Sequence, residues 1–167
     1  MPRPIYETPQ DLTNQEKLLR QALFALNPRQ SIKYTRSADL APYDYVTEDP
    51  HIIFEIKSRN LRQDRFDTYK ISAQKIDRIN ALGEESGLPA VLIVGWTDKW
   101  GWMPLYSPRQ EVTTLKTLLR DGEAQTCTWG RTDRGDSYDV EKSYEWPIRR
   151  FRIFEYADLE KKIVDSG

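Results

Sequence analysis

The sequence has few of the residues that form disulfides and nitrogen- or sulfur-ligated metal sites: 167 residues include one cysteine, Cys127, and one histidine, His51. A single cysteine cannot form an internal disulfide, and the first ten residues have no apolar stretch of signal-peptide type, so we expect an intracellular protein. A zinc site of histidine and cysteine ligands is not expected. The longest apolar run, residues 89–96, is far shorter than the about 20 residues of a membrane-spanning helix. No membrane partner is therefore expected.

The sequence also lacks an excess of charge of one sign, since 25 Lys and Arg face 26 Asp and Glu. Bulk charge therefore does not argue for a nucleic-acid partner. The distribution is uneven, because residues 57–78 hold seven basic and three acidic side chains, a local net charge of +4 between two acidic flanks. Taken alone, such a segment is typical of a solvated, charge-rich loop and helix face.

The spacing of apolar residues predicts an α/β chain in the order helix, three strands, helix, strand. The predicted core comprises a helix that follows Asp11 and Thr13 and runs to about residue 26, strands over 31–35, 43–47 and 52–57, a helix over 69–82 closed by Gly83, and strands over 89–96 and 102–106. Weaker patterns predict a helix over 110–119, a strand over 126–130, a charged loop over 131–139, a strand over 151–156 and a short polar tail helix. Because no linker composition interrupts the chain, we expect one domain of residues 1–167, with a core of about 11–106 and a C-terminal elaboration of about 107–167.

The predicted strand at 52–57 carries a charged pair within a run of strong strand formers. Alternation places Glu55 and Lys57 on one face, where a buried pair is costly unless it has partners. Asp44 lies on the preceding strand and can approach Glu55 across a hairpin. Two carboxylates and the backbone carbonyl of Ile56 form an oxygen site suited to Mg²⁺ or Mn²⁺. The alternative is that Asp44 caps a turn and Glu55 pairs with Lys57 on the sheet surface.

Two helical residues could add to this site. At 100° per residue, Glu16 falls within the leucine stripe of the first helix and is expected to point at the sheet. Alternatively, Glu16 closes a capping box with Thr13. Lys75 falls at the edge of the apolar stripe of the second helix and could reach a phosphate-binding cleft, whereas ordinary snorkelling of its ammonium group is the alternative.

The order of these features resembles the PD-(D/E)XK nuclease superfamily, whose small members include Holliday junction resolvases and many phage and restriction endonucleases. The resemblance covers about residues 13–106. Tyr43 occupies the motif's proline position, which varies within the superfamily, and Pro42 stands one place earlier. The resemblance implies a restriction-endonuclease-like fold, with a mixed central β-sheet flanked by helices in αβββαβ order.

The same resemblance implies roles for five residues. Asp44 and Glu55 look like the metal-binding carboxylates, and Lys57 looks like the motif lysine. Glu16 resembles the helix glutamate that supports the metal, and Lys75 resembles the residue that supplies an extra basic or amide group from the following helix.

The implied activity is hydrolysis of DNA phosphodiester bonds by water activated on Mg²⁺ or Mn²⁺. Side chains of the basic segment would then track DNA phosphates: Arg59, Arg62, Arg65, Lys70 and Lys75. A phage-encoded protein acting in a bacterial cytoplasm is expected, and a two-fold homodimer would suit paired cuts on opposed strands. The alternatives are a non-catalytic DNA-binding or assembly module on this fold, and an unrelated α/β interaction protein.

Overall fold

The computed structural model describes residues 9–38, 41–130 and 140–159. Within these ranges the chain forms three α-helices and nine strands. In chain order they are α1 (Pro9–Leu26), β1 (Tyr34–Arg36), β2 (Tyr45–Thr47), β3 (Ile53–Ser58), β4 (Thr68–Ser72), α2 (Ala73–Ser86), β5 (Ala90–Gly95), β6 (Lys99–Tyr106), α3 (Leu115–Arg120), β7 (Gln125–Gly130), β8 (Val140–Pro147) and β9 (Arg152–Glu155).

The central sheet has six strands in the order β1-β2-β3-β5-β6-β9. Strands β3 and β5 are parallel and are joined through α2, whereas the other neighbours run antiparallel. Strands β4, β8 and β7 form a second, antiparallel sheet. The predicted mixed α/β architecture is therefore present, with a second sheet that the sequence pattern did not predict.

Apolar side chains form one cluster on each face of the central sheet. On one face, α1 contributes Leu19 to a cluster that includes Phe54 and Ile56 of β3. On the other face, α2 and the second sheet pack against a cluster that includes Ile53. Strand β5 is buried along its whole length, because it has a strand on each side and a packed layer on each face. The alternation of β3 therefore directs Glu55 toward the α2 side.

The prediction that the second helix begins at residue 69 is wrong. Residues 68–72 form β4, in which Tyr69 and Ile71 are buried while Lys70 is exposed. This alternation has the period of a strand, and pairing with β8 stabilises it. The helix also extends past Gly83, because the left-handed residue that ends it is Gly87, with φ of 73°.

The remaining differences concern helix ends and the C-terminal part of the chain. Thr13 lies inside α1 and donates to the Pro9 carbonyl at 2.9 Å, so it does not cap the helix. Helix α3 starts at its Thr114 cap, later than predicted. Strand β8 was not predicted, and β9 joins the central sheet at β6. The predicted loop 131–139 and tail helix lie outside the described residues. No helix in the described ranges has the length and apolar character needed to span a bilayer.

The close packing of α2 on β6 yields a stability prediction. A Cβ atom at Gly83 would lie 2.6 Å from Tyr106 Cδ1 and 3.2 Å from the Leu88 carbonyl oxygen. We expect Gly83→Ala to lower the free energy of unfolding by about 1–3 kcal/mol in urea denaturation, although alanine favours helix. The control Ala81→Gly, at an exposed position of α2, should lower it by about 1 kcal/mol through helix propensity alone. A more stable Gly83→Ala protein would contradict this packing.

Candidate active site

Two carboxylates meet where β2 and β3 pair. Glu55 on β3 is 1% exposed, and Asp44 directly precedes β2. The backbone N–H of Asp44 donates to the Phe54 carbonyl at 2.9 Å, and its Oδ2 accepts from the backbone N–H of Ile56 at 2.7 Å. These two bonds to β3 hold Asp44 beside Glu55, in the arrangement that the hairpin predicted.

Two ammonium groups approach the same oxygen of Glu55. Nζ of Lys75, from the first turn of α2, lies 2.6 Å from Glu55 Oε1. Nζ of Lys57, two residues along β3 on the same face, lies 3.6 Å from that atom. Both lysines are half-buried, so solvent screens their attraction to the buried carboxylate only in part.

The carboxylate nevertheless remains incompletely satisfied. Lys75 contacts only Oε1, and Oε2 of Glu55 accepts no hydrogen bond from the described residues. Buried carboxylates normally have hydrogen bonds or a bound cation. Asp44 and Glu55 together therefore fit a hard divalent cation, because Mg²⁺ is commonly bound by one or two carboxylates and several waters. In the described ranges no three Asp, Glu, His or Cys side chains converge as a ligand group.

The surroundings of Glu55, Lys57 and Lys75 shift their three pKa values in different directions. Burial, followed by the charge of Asp44, raises the pKa of Glu55 to about 7. Burial and the neighbouring Lys75 ammonium lower the pKa of Lys57. Burial also lowers the pKa of Lys75, but the nearby Glu55 carboxylate outweighs burial, and the net effect is a raised pKa. Lys57 is therefore the lysine that loses its proton more readily.

Glu16 does not join this cluster. It is exposed on α1, and its Oε1 accepts a hydrogen bond from the Tyr34 hydroxyl at 2.6 Å. The prediction that Glu16 points into the sheet is wrong, because the buried face of α1 is formed by Leu18, Leu19 and Leu23. That face packs on the side of β3 opposite Glu55. The geometry therefore gives no support to Glu16 as a metal ligand.

The predicted phosphate-contacting residues lie on the loop after β3 and at the start of β4. The Arg59 guanidinium lies 4.9 Å from the Tyr69 ring centroid and donates to the Lys70 carbonyl at 3.1 Å. The ammonium group of Lys70 lies 3.5 Å from a carboxylate oxygen of Glu145. Arg59 lies two positions after Lys57 and Lys70 lies five positions before Lys75, so the basic segment connects the two lysines of the site along the chain.

Arg62 and Arg65 are both exposed on this loop. Arg62 lies 3.5 Å from Asp98, and Arg65 lies 5.4 Å from the centroid of the Phe66 ring. Sequence reasoning missed Asp98, which also accepts from the backbone N–H of Gln63 at 2.8 Å and so ties the loop to the turn between β5 and β6. No local pattern marks this contact, because the partners are 35 residues apart.

Comparisons with known proteins agree with this architecture. A family model described as "Phage putative PDDEXK endonuclease" matches residues 1–154. Among solved structures, the chain is similar to Archaeoglobus fulgidus Hjc, a Holliday junction resolvase from an archaeal hyperthermophile. The identity is 14% and the TM-score 0.50, over 89% of this chain and 94% of that chain. No curated protein shows significant similarity. The restriction-endonuclease-like fold predicted from the sequence is confirmed.

The raised pKa of Glu55 predicts an unusual pH dependence of stability. Its pKa is about 7 in the folded chain against 4.5 when unperturbed, so the folded state holds the extra proton between these values. The free energy of unfolding should therefore fall as pH rises from 4.5 to 7, by roughly 3 kcal/mol relative to Glu55→Gln. Urea denaturation of both proteins in EDTA at several pH values measures the difference. Parallel pH curves for the two proteins would show that Glu55 titrates normally.

Proposed function

This chain belongs to the family of phage PD-(D/E)XK endonucleases, and we propose that it hydrolyses DNA phosphodiester bonds with Mg²⁺ or Mn²⁺. The observation that carries the proposal is the buried Glu55 carboxylate, which lies beside Asp44, contacts two ammonium groups through Oε1 and leaves Oε2 without a hydrogen bond from the described residues. Such a cluster is costly for a purely structural purpose. The cluster is explained if it binds a cation and a phosphate group.

Asp44 and Glu55 would hold the metal ion, with the Ile56 carbonyl as a further ligand. The ion, when bound, lowers the pKa of water and neutralises charge that develops on the phosphate. The Ile56 backbone N–H fixes one oxygen of Asp44 and orients its carboxylate. Glu55 must be deprotonated to act as a ligand, and its raised pKa makes metal affinity increase as pH rises through about 7.

The two lysines would have different roles in the reaction. Lys57, whose pKa is lowered by burial and by Lys75, is suited to orient the attacking water and to accept or relay its proton. Lys75 keeps its proton because Glu55 and Asp44 stabilise the ammonium form. Its charge would therefore stabilise the non-bridging phosphate oxygens in the transition state.

The basic residues of the β3–β4 loop and β4 would position the strand by contacting phosphates beside the cleaved bond. They are Arg59, Arg62, Arg65 and Lys70, with Lys75 at the catalytic end. Binding through these contacts should weaken as salt concentration rises, because each neutralised phosphate releases counterions.

A nuclease assay tests the proposal directly. With Mn²⁺ or Mg²⁺, the protein should nick plasmid or branched DNA, and EDTA should abolish the reaction. Asp44→Asn, Glu55→Gln and Lys57→Met should each reduce the rate by at least about 100-fold, because each removes a ligand or the water-orienting amine. Circular dichroism should show an intact fold in every variant.

Two controls sharpen the assay. Glu84→Gln removes an exposed carboxylate of α2 that pairs with Lys116, and it should cut at the wild-type rate. Glu16→Gln should also stay within a few-fold of wild type, since Glu16 contacts Tyr34 and not the carboxylate pair. A large loss of cleavage rate in Glu16→Gln would instead support Glu16 as a metal ligand. DNA binding without cleavage under every metal condition would instead favour the non-catalytic module.

Oligomeric state is a separate proposal, based on substrate symmetry. Two cuts on opposed strands require two copies of the site, and a two-fold homodimer supplies them. Sedimentation of the protein on a DNA substrate should give two copies per DNA molecule. A single copy on the DNA would remove this part of the proposal.

A further inference from the structure

A cavity of about 290 Å³ lies beside the candidate active site, between the β3–β4 loop, β4 and the end of β5. Aromatic and apolar side chains make up much of its lining, with a guanidinium group at its side: Phe66, Tyr69, Trp96, Leu61, Ile148 and Arg59. Ligand pockets that take drug-sized molecules span roughly 300–1,000 Å³. The cavity is thus of the size that suits a single ring system.

Phe66 is the unusual member of this lining. Its side chain is 56% exposed, whereas Tyr69 and Trp96 are 4% and 3% exposed and belong to the apolar core. Of the three large apolar side chains that are exposed among the described residues, Phe66 is the one that lines this cavity. The guanidinium group of the neighbouring residue, Arg65, lies 5.4 Å from the Phe66 ring centroid. Because more than half of the Phe66 side chain is exposed, its ring still has surface available to a partner.

The loop that carries Phe66 is held in place on both sides. Before Phe66, Asp98 accepts from the Gln63 backbone, and the Thr97 backbone N–H donates to the Leu61 carbonyl at 3.0 Å. After Phe66, the Asp67 carbonyl accepts from the backbone N–H of Ile148 at 2.8 Å. These contacts fix the mouth of the cavity, so a bound ring would need little reorganisation of the loop.

Two guanidinium groups at the cavity, those of Arg59 and Arg65, suit the phosphates of a nucleic-acid strand. Arg59 lines the cavity, and Arg65 lies against the Phe66 ring. Arg62 and Lys70, on the same loop and on β4, are each paired with a carboxylate of the protein. The floor residue Tyr69 is close enough to Glu55 and Lys75 to interact electrostatically with both. A strand whose phosphate lies at the carboxylate pair would therefore bring a neighbouring base to this cavity.

We propose that the cavity binds an unpaired nucleobase of the DNA substrate, stacked on Phe66 and beside the Arg59 guanidinium. The proposal rests on the proposed nuclease function and deepens it by naming the substrate class, which is DNA with an unpaired nucleotide next to the cleaved bond. Bases inside a duplex are stacked on both faces and cannot enter such a cavity unless they are extruded. Stacking on an aromatic ring is tolerant of sequence, because every base has a π-face.

The test compares two DNA duplexes that differ only in whether the strands contain a short single-stranded gap. Affinities are measured by fluorescence anisotropy in EDTA, where no cleavage occurs. The wild-type protein should bind the gapped DNA more tightly than the fully paired DNA. Phe66→Ala should weaken binding to gapped DNA by about tenfold and change binding to paired DNA by less than twofold.

Matched variants separate stacking from general hydrophobicity. Phe66→Tyr keeps the ring and should bind gapped DNA like the wild type, whereas Phe66→Leu should resemble Phe66→Ala. Leu26→Ala removes an apolar side chain that is 53% exposed on α1, and it should leave both affinities unchanged. A deoxynucleoside monophosphate added at the same concentration as the DNA should not displace the gapped duplex from the protein. Displacement would overturn the proposal in favour of a free-nucleotide pocket.

The outcomes distinguish this inference from the proposed function. Equal losses on both DNAs for Phe66→Ala, or no loss on either, overturn the base-binding proposal even if the protein cuts DNA with Mn²⁺. A gap preference that depends on the Phe66 ring, in a protein that never cuts, supports base binding and overturns the nuclease. Failure of the wild-type protein to bind either DNA in EDTA overturns the base-binding proposal, and the cleavage assay with Mn²⁺ then decides the nuclease separately.

Discussion

The burial of one carboxylate is the constraint on which the rest of this site depends. Glu55 is held on a central strand at 1% exposure, where desolvation and the charge of Asp44 both oppose its ionisation. Two ammonium groups offset this cost, and one of them, that of Lys75, comes from a different element. The resulting cluster leaves Oε2 of Glu55 without a hydrogen bond from the described residues, which is the property that suits it to a cation.

The topology explains how the four charged groups meet. Parallel pairing of β3 with β5 requires a crossover, and α2 is the helix of that crossover, so its first turn lies beside the strand that carries Glu55. Lys75 on that turn reaches the carboxylate, while Asp44 arrives from the antiparallel hairpin on the other side. The second sheet then covers α2 and carries Tyr69 to the same region.

Much of this arrangement can be read from short-range patterns. The alternation of residues 52–57 places Glu55 and Lys57 on one face of a strand, and the hairpin spacing brings Asp44 alongside, because both depend only on strand geometry. The dense apolar run at 89–96 likewise predicts a central strand.

Long-range contacts decided what the local patterns could not. Residues 68–72 became a strand because β8, more than 70 positions later, pairs with them. The leucines of α1 fit more than one helical face, and packing against Phe54 and Ile56 selected the face that leaves Glu16 exposed. The sequence by itself therefore determined the mixed sheet and the charged strand, whose geometry repeats every two residues. Only the tertiary structure decided the buried state of Glu55, the reach of Lys75 and the cavity beside Phe66, because these depend on elements that are distant in sequence.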